Sequence, residues 1–221
     1  MKVTDVIVMT HLENGVAKLP HVDQLKIYNK NVKIHIVIGE DSPKGKIYNW
    51  KNSDRVLREW WKKNHSSVGD YIFLAEWDTF VNIELPEFPD EFDLVGAKLI
   101  KSENFGVLRK MKDPLWKPEN WMWWREFPKM GIKDLKFATG LISFGAFFLK
   151  KQLLNSIADS SWDSVYDLDI VSELRFPTIA SASNYKVGEI KMPFVSFCEV
   201  ETPTQRGIHH SVKTQQKYGS F

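Results

Sequence analysis

The first hundred residues contain three apolar runs rich in β-branched or aromatic residues, at 3–10, 32–39 and 71–76. Such runs predict β-strands. In the third run, Tyr71 to Ala75 are all apolar or aromatic, as is typical of a strand that a parallel sheet buries on both faces. The polar segments between the runs are long enough for crossover connections, so we predict parallel pairing.

A helical pattern lies between the second and third runs, over 53–64. Leu57 and Trp61 recur on one face, charged residues pair on the other, and Ser53 is placed to cap the helix. A fourth strand is predicted at 93–100. This order of elements predicts an α/β fold with a mixed, mainly parallel central sheet flanked by helices.

The second half contains shorter elements of both types. Asp163 is expected to cap a helix in an acidic segment. The remaining predictions are a short helix at 22–28, a strand within 137–149, a helix at 150–158, and short strands at 187–190 and 194–198.

Two acids follow the third strand, in the sequence Glu76-Trp77-Asp78. Ligands of open α/β sheets bind just outside the carboxyl ends of the strands. Carboxylates placed there lose hydration unless a cation meets them, and a divalent metal ion is an effective partner. The alternative is that both acids are solvated and open a turn.

A tryptophan-rich segment occupies 116–128, with four tryptophans in nine positions and two prolines. The prolines and the lack of helical periodicity favour a loop or a broken helix. Its indoles either pack on the core or line a cleft, and sugar rings present apolar C–H faces that suit the second role.

Composition excludes several classes. The 30 basic and 28 acidic residues give a formal charge of +2, which offers no case for nucleic acid. The single cysteine, Cys198, excludes an internal disulfide and fits a reducing compartment. We find no signal peptide, no membrane-length apolar stretch, no dinucleotide glycine motif and no P-loop. We therefore expect a cytoplasmic, soluble protein.

Taken together, these features resemble the GT-A fold of nucleotide-sugar glycosyltransferases. Glu76-Trp77-Asp78 is similar to their D-x-D motif, and the order of strands, glycine-aromatic block, acidic helix and late histidines also matches. More narrowly, the chain resembles the small GT-A domain of large chlorella-virus proteins that glycosylate the capsid. The resemblance implies one domain, with a nucleotide-sugar-binding half at about 1–100 and an acceptor-binding half at about 101–221. The chain is compatible with a fragment of a longer one.

The resemblance implies a metal site. Asp78 would bind the metal directly, and Glu76, one methylene longer than the usual aspartate, would contact the ribose or a metal-bound water. His209 or His210 would add a further ligand, although a histidine pair in a polar tail is also compatible with simple solvation. This ligand set suits Mn²⁺, with Mg²⁺ also possible.

The resemblance also implies donor, acceptor and catalytic residues. Arg55 is equally compatible with a solvated helix charge. For an inverting enzyme, Asp167, Asp169 and Glu173 compete as general base, with Asp169 preferred; the sequence does not decide between inversion and retention. The donor set is Thr10, His11, Glu40, Asp41, Arg55, Glu76, Trp77 and Asp78, and the acceptor set is Trp121, Trp123, Trp124, Thr139 and Gly140.

The expected function is metal-dependent transfer of a hexose or deoxyhexose from a UDP-sugar to a glycan, in glycosylation of a viral capsid glycoprotein. A nucleotidyltransferase would also use an E-x-D with metal, but the loop at 11–15 has one glycine and no basic residue. A non-catalytic carbohydrate-binding domain would explain the tryptophans but not the E-x-D motif at the end of a buried strand. A scaffold domain of a larger polypeptide is a further alternative.

Overall fold

The computed structural model describes residues 1–13, 15–39, 51–101, 127–132, 134–142, 144–196, 203–210 and 212. The strands are β1 Asp5–Thr10, β2 Leu12–Glu13, β3 Val16–Ala17, β4 Lys33–Ile38, β5 Tyr71–Glu76, β6 Phe80–Val81, β7 Leu94–Gly96, β8 Lys98–Lys101, β9 Thr139–Ile142, β10 Ala146–Lys150, β11 Val187–Glu189, β12 Phe194–Ser196 and β13 Ile208–His210. The α-helices are α1 Val22–Tyr28, α2 Ser53–Asn64, α3 Lys151–Ile157, α4 Asp163–Tyr166 and α5 Ser172–Ala182, and 3₁₀ turns occur at His65–Ser67, Phe127–Met130, Leu135–Phe137 and Ser160–Trp162.

Six strands form the central sheet, in the order β11-β7-β10-β5-β1-β4. The pairs β1–β4, β1–β5 and β7–β11 are parallel, whereas β10 runs antiparallel between β5 and β7. The prediction of an α/β fold with a mixed, mostly parallel sheet is therefore confirmed. Strands β9 and β10 are consecutive in the chain and pair antiparallel with the consecutive strands β8 and β7, respectively.

The sheet is buried on both faces. Ile7 and Met9 of β1 pack on the side of α2 with Leu57 and Trp61, whereas the alternate residues of β1 join Leu25 of α1 in a second apolar cluster. This division follows from the two-residue repeat of a strand, whose successive side chains point to opposite faces. It explains why the first and third runs carry so few polar residues.

The helix at 53–64 has the predicted bounds, but the predicted cap is wrong. Asn52 precedes the helix, and the Ser53 hydroxyl donates to Oε1 of Glu76 at 3.1 Å instead of capping. A capping serine precedes the helix and accepts a hydrogen bond from a backbone N–H of its first turn, whereas Ser53 is the first helical residue and its hydroxyl donates to a carboxylate of β5. The predicted cap Asp163 is likewise the first residue of α4, and its carboxylate pairs with Arg58.

The single strand predicted at 93–100 is also wrong. It divides at Ala97 into β7, which joins the central sheet, and β8, which pairs with β9 in a separate two-stranded sheet. The Ala97 N–H donates to the Ile142 carbonyl at 2.8 Å, so the backbone changes partners at this residue. Gly96 permits the close approach, because an added Cβ would lie 2.7 Å from the same carbonyl oxygen.

The other predicted elements are present with small differences in their ends, except that the segment expected to hold one strand within 137–149 contains two, β9 and β10, which belong to different sheets. The strands β2, β3, β6 and β13 were not predicted. β13 lies in the segment expected to be a polar tail, yet its residues are buried. In the described parts of the chain, no helix combines the length and apolar character that crossing a membrane requires.

Candidate metal centre

A tight turn after β5 positions the two acids. The Thr79 N–H donates to the Glu76 carbonyl at 2.9 Å, and the Thr79 hydroxyl accepts from the Glu76 N–H at 3.1 Å. The same hydroxyl donates to the Gly145 carbonyl at 2.8 Å. Glu76 and Asp78 therefore lie at the carboxyl edge of the sheet, where the parallel neighbours β1 and β4 end at Thr10 and Ile38.

A small sheet carries a histidine to this turn. β13 pairs antiparallel with β6, which directly follows the turn, and parallel with β12. The pairing continues beyond His210, because the Val212 N–H donates to the Asp78 carbonyl at 2.8 Å. His21 closes the arrangement from the amino-terminal side, with Nε2 3.0 Å from the Val212 carbonyl.

The resulting triad is Glu76, Asp78 and His210, each at most 9% exposed. Nε2 of His210 lies 2.8 Å from Oε2 of Glu76 and 3.4 Å from Oδ1 of Asp78. One potential ligand atom from each residue lies within 4.8 Å of the others. Two carboxylates and an imidazole at this separation fit a divalent cation of the Mn²⁺ class.

The structure separates the two histidines. Nε2 of His209 lies 2.8 Å from the Gln205 carbonyl, and its ring packs near Phe80. Adjacent strand residues point to opposite faces, so only one of the pair can reach the acids. Within the described residues, His210 is that one.

The triad is electrostatically coupled. Burial lowers the pKa of His210, but hydrogen bonds and the negative charges of Asp78 and Glu76 outweigh it and raise the pKa to about 10. Without a metal, the imidazolium therefore supplies the positive charge that the two acids need. A divalent ion would take over that role, and the proton would leave.

The three acids considered for proton transfer have different surroundings. Asp169 is 75% exposed and its Oδ1 lies 2.6 Å from Nζ of Lys51, and Asp167 is also exposed. Glu173 is buried at the start of α5, and its Oε2 has no hydrogen-bond partner among the described residues. Burial first, and then the charge of Glu76, raise the pKa of Glu173 to about 8. Of the three acids, Glu173 is the one whose pKa is raised by a residue of the triad.

A hairpin of β2 and β3 borders the metal centre at Trp77. The ring of His11 meets the Trp77 indole edge-on at 5.1 Å, and Nζ of Lys18 lies 4.7 Å from its centroid. Nζ of Lys18 also pairs with Glu13 at 2.7 Å. The predicted donor residue Thr10 is buried, and its hydroxyl donates to the Lys18 carbonyl at 2.6 Å.

The remaining predicted residues lie elsewhere or outside the described residues. Arg55 lines a cavity of about 300 Å³ between α2 and β4, with Trp60 on its wall. Thr139 and Gly140 begin β9, and the Thr139 hydroxyl bonds Ser181 of α5 at 3.0 Å. Those that lie outside the described residues are Glu40, Asp41, Trp121, Trp123 and Trp124.

Sequence reasoning missed several residues around the triad, namely Lys18, His21, Ser53 and Gly145. The sequence predicts Ser53 as a helix cap, and the other three carry no motif. A signal existed only for Gly145, since a glycine between two apolar strands often marks close backbone approach. An added Cβ there would lie 2.8 Å from Cδ2 of His210.

No protein-family model matches the chain, and a search of curated proteins found no similar protein. The evidence on function therefore comes from the residues of the metal centre.

Proposed function

We propose that the chain is a metal-dependent glycosyltransferase of the GT-A fold, which moves a hexose or deoxyhexose from a UDP-sugar to a glycan or glycoprotein. The observation that carries the proposal is the convergence of Glu76, Asp78 and His210 at the carboxyl edge of parallel strands. Ligand sites of open α/β sheets lie at this edge. The E-x-D motif after the third strand supports the same function.

Asp78 and His210 would hold Mn²⁺ or Mg²⁺, with Glu76 completing the site. When bound, such an ion acts as a Lewis acid and neutralises charge on a departing diphosphate. The chain's own part is to fix the ligands before the donor arrives. Ser53 orients Glu76, and the Thr79 turn orients Asp78.

The hairpin border offers groups that suit a nucleoside diphosphate. Trp77 and His11 present aromatic surfaces, and the ammonium group of Lys18 lies against them. A cation at this position would attract phosphate oxygens, and a base or ribose packs well on aromatic rings.

The acceptor proton would pass to Glu173 in an inverting transfer. The acceptor oxygen bonds to the anomeric carbon, the bond from that carbon to the diphosphate oxygen breaks, and the hydroxyl proton goes to the Glu173 carboxylate. Burial raises the pKa of the Glu173 carboxyl above its usual value, which makes its carboxylate a stronger base. The position of Glu173 beside the triad favours it over Asp169.

Titration calorimetry of UDP tests the proposal, with Mn²⁺ and with a chelator, on the native chain, Asp78→Ala and the control His209→Gln. We expect Mn²⁺-dependent binding in the native chain and the control, and loss in Asp78→Ala. UDP-sugar turnover should follow the same pattern. An affinity for UDP that changes neither on addition of chelator nor in Asp78→Ala would overturn the proposal. Glycan binding without UDP binding would instead indicate a carbohydrate-binding domain.

A further inference from the structure

The residues that begin α2 contact the residues that begin α5, and we name these contacts the α2–α5 junction. The Ser172 hydroxyl donates to the Lys51 carbonyl at 3.1 Å and lies 3.2 Å from Oδ1 of Asp54. Nη2 of Arg175 donates to Oδ1 of Asn52 at 3.3 Å. The two helices are thus joined at their first turns, more than a hundred residues apart in sequence.

A fully buried ion pair lies at the centre of the junction. Nε and Nη2 of Arg175 donate to the two Asp54 carboxylate oxygens at 2.8 and 2.6 Å, and neither side chain is exposed. Nη1 of Arg175 donates to the Leu168 carbonyl at 3.1 Å. An apolar pair of similar volume would stabilise a protein about as well, so stability alone does not account for charges here. A two-point contact with a carboxylate does fix relative orientation.

Both helices carry a side chain from the junction to the metal centre. Ser53, next to Asp54, donates to Oε1 of Glu76 at 3.1 Å. Glu173, two residues before Arg175, lies close enough to Glu76 for the two charges to interact. A change in the angle between α2 and α5 would therefore displace Ser53, a hydrogen-bond partner of Glu76, and would change the distance from Glu173 to Glu76.

We propose that Arg175 is a positioning residue for the metal centre. Through Asp54 it holds α2 and α5 in the relative orientation that places Ser53 and Glu173 around Glu76. The role in metal binding rests on the proposed function, whereas the role in placing Glu76 does not. Groups that orient metal ligands typically contribute about 10- to 100-fold to metal affinity.

The test compares Arg175→Lys with Asp5→Asn. Asp5 also belongs to a buried ion pair, with His35 at 2.7 Å, but it lies at the start of β1 and so at the opposite edge of the sheet. Both variants should lower the thermal midpoint. We expect the Mn²⁺ dissociation constant to rise about 10-fold or more in Arg175→Lys and less than about twofold in Asp5→Asn.

A second readout uses the metal-free protein. The ring N–H of His210 that bonds Glu76 should give a downfield proton resonance, and Arg175→Lys should shift it while Asp5→Asn does not. If Arg175→Lys does not fold, Ser172→Ala replaces it, because it removes only the hydroxyl between Asp54 and Lys51. We then expect a smaller, severalfold loss of affinity and a smaller shift.

The outcomes separate the two proposals. A folded variant with native Mn²⁺ affinity and an unmoved His210 resonance would overturn the positioning role. If the native chain binds no Mn²⁺, the proposed function fails, and the resonance alone decides on Arg175. A shifted resonance would still support the positioning of Glu76, and an unchanged one would refute it.

Discussion

Nε2 of His210 lies 2.8 Å from Oε2 of Glu76, although 134 residues separate them in the sequence. The contact joins the end of a central strand to a short strand near the end of the described chain. It places an imidazole where two carboxylates converge, and it raises the pKa of His210 to about 10 despite burial. We therefore expect Mn²⁺ binding to depend on His210 and on the loss of its proton.

Replacing the triad histidine should abolish tight metal binding, whereas replacing its neighbour should not. His210→Gln removes one of three ligands, so we expect the Mn²⁺ dissociation constant to rise by more than about 100-fold. His209→Gln is the matched control, because His209 bonds a carbonyl on the opposite side of β13. Calorimetry or electron paramagnetic resonance of Mn²⁺ measures both. Equal losses in the two variants would contradict the assignment.

Metal affinity should increase with pH across the neutral range. The raised pKa means that His210 carries a proton at pH 7 without metal, and the metal must displace it. Binding should therefore release about one proton and tighten up to about tenfold per pH unit. Calorimetry in buffers of different ionisation enthalpy measures the release. No released proton at pH 7 would show that His210 is already neutral.

The sequence located the acids better than their partners, and the reason is physical. Glu76 and Asp78 follow a buried strand, so local pattern places them at the sheet edge. The choice between His209 and His210 depends on how β13 pairs with β6, and that register is a long-range property. The same holds for Glu173, because the acidic segment does not show that α5 begins at Ser172.

Proton transfer should depend on Glu173 and not on the exposed aspartates. In Glu173→Gln we expect kcat for UDP-sugar transfer to fall about 100-fold or more, while Mn²⁺-dependent UDP binding changes little. Asp169→Asn is the control, since its carboxylate is 75% exposed and pairs with Lys51. Steady-state kinetics on both variants measure kcat and so distinguish the two residues as general base. A large loss of kcat in Asp169→Asn, without one in Glu173→Gln, would show that Asp169 is the general base instead.

The same glutamate should make the metal-free protein less stable as pH rises. Its pKa is about 8 in the fold against 4.5 as the reference value, so the folded chain keeps a proton that the unfolded chain has lost. The free energy of unfolding should therefore fall between about pH 4.5 and 8. Glu173→Gln should remove the contribution of Glu173 to this slope. Relative to the native chain, its free energy of unfolding should therefore rise by on the order of 4 kcal/mol between pH 5 and pH 8.5.

Urea unfolding with a chelator present, at both pH values, measures this difference. His210 adds a slope of the same sign, but it is present in the native chain and the variant alike. Asp169→Asn should stay within about 0.5 kcal/mol of the native chain at both values. A native-like slope in Glu173→Gln would show that the carboxyl is not held in an apolar environment.

A single methyl group at Gly145 should disturb the metal centre, because it would clash with His210 and Thr79. An added Cβ would lie 2.8 Å from Cδ2 and 3.0 Å from Nε2 of His210, and 2.9 Å from Oγ1 of Thr79. In Gly145→Ala, either the imidazole or the turn that positions Asp78 must therefore move. We expect the Mn²⁺ dissociation constant to rise about tenfold or more, as for other groups that orient ligands.

Gly131→Ala is the control for the general effect of losing a glycine. Gly131 has a φ of 72°, and none of the described residues lies within 4 Å of an added Cβ, so alanine costs about 1 kcal/mol through backbone strain without a clash against them. Calorimetric Mn²⁺ binding and thermal unfolding on both variants separate affinity from stability. We expect Gly131→Ala to lose stability and keep its affinity, and Gly145→Ala to lose affinity beyond any change in stability. Native Mn²⁺ affinity in Gly145→Ala would mean that His210 is not confined at the position where it meets Glu76.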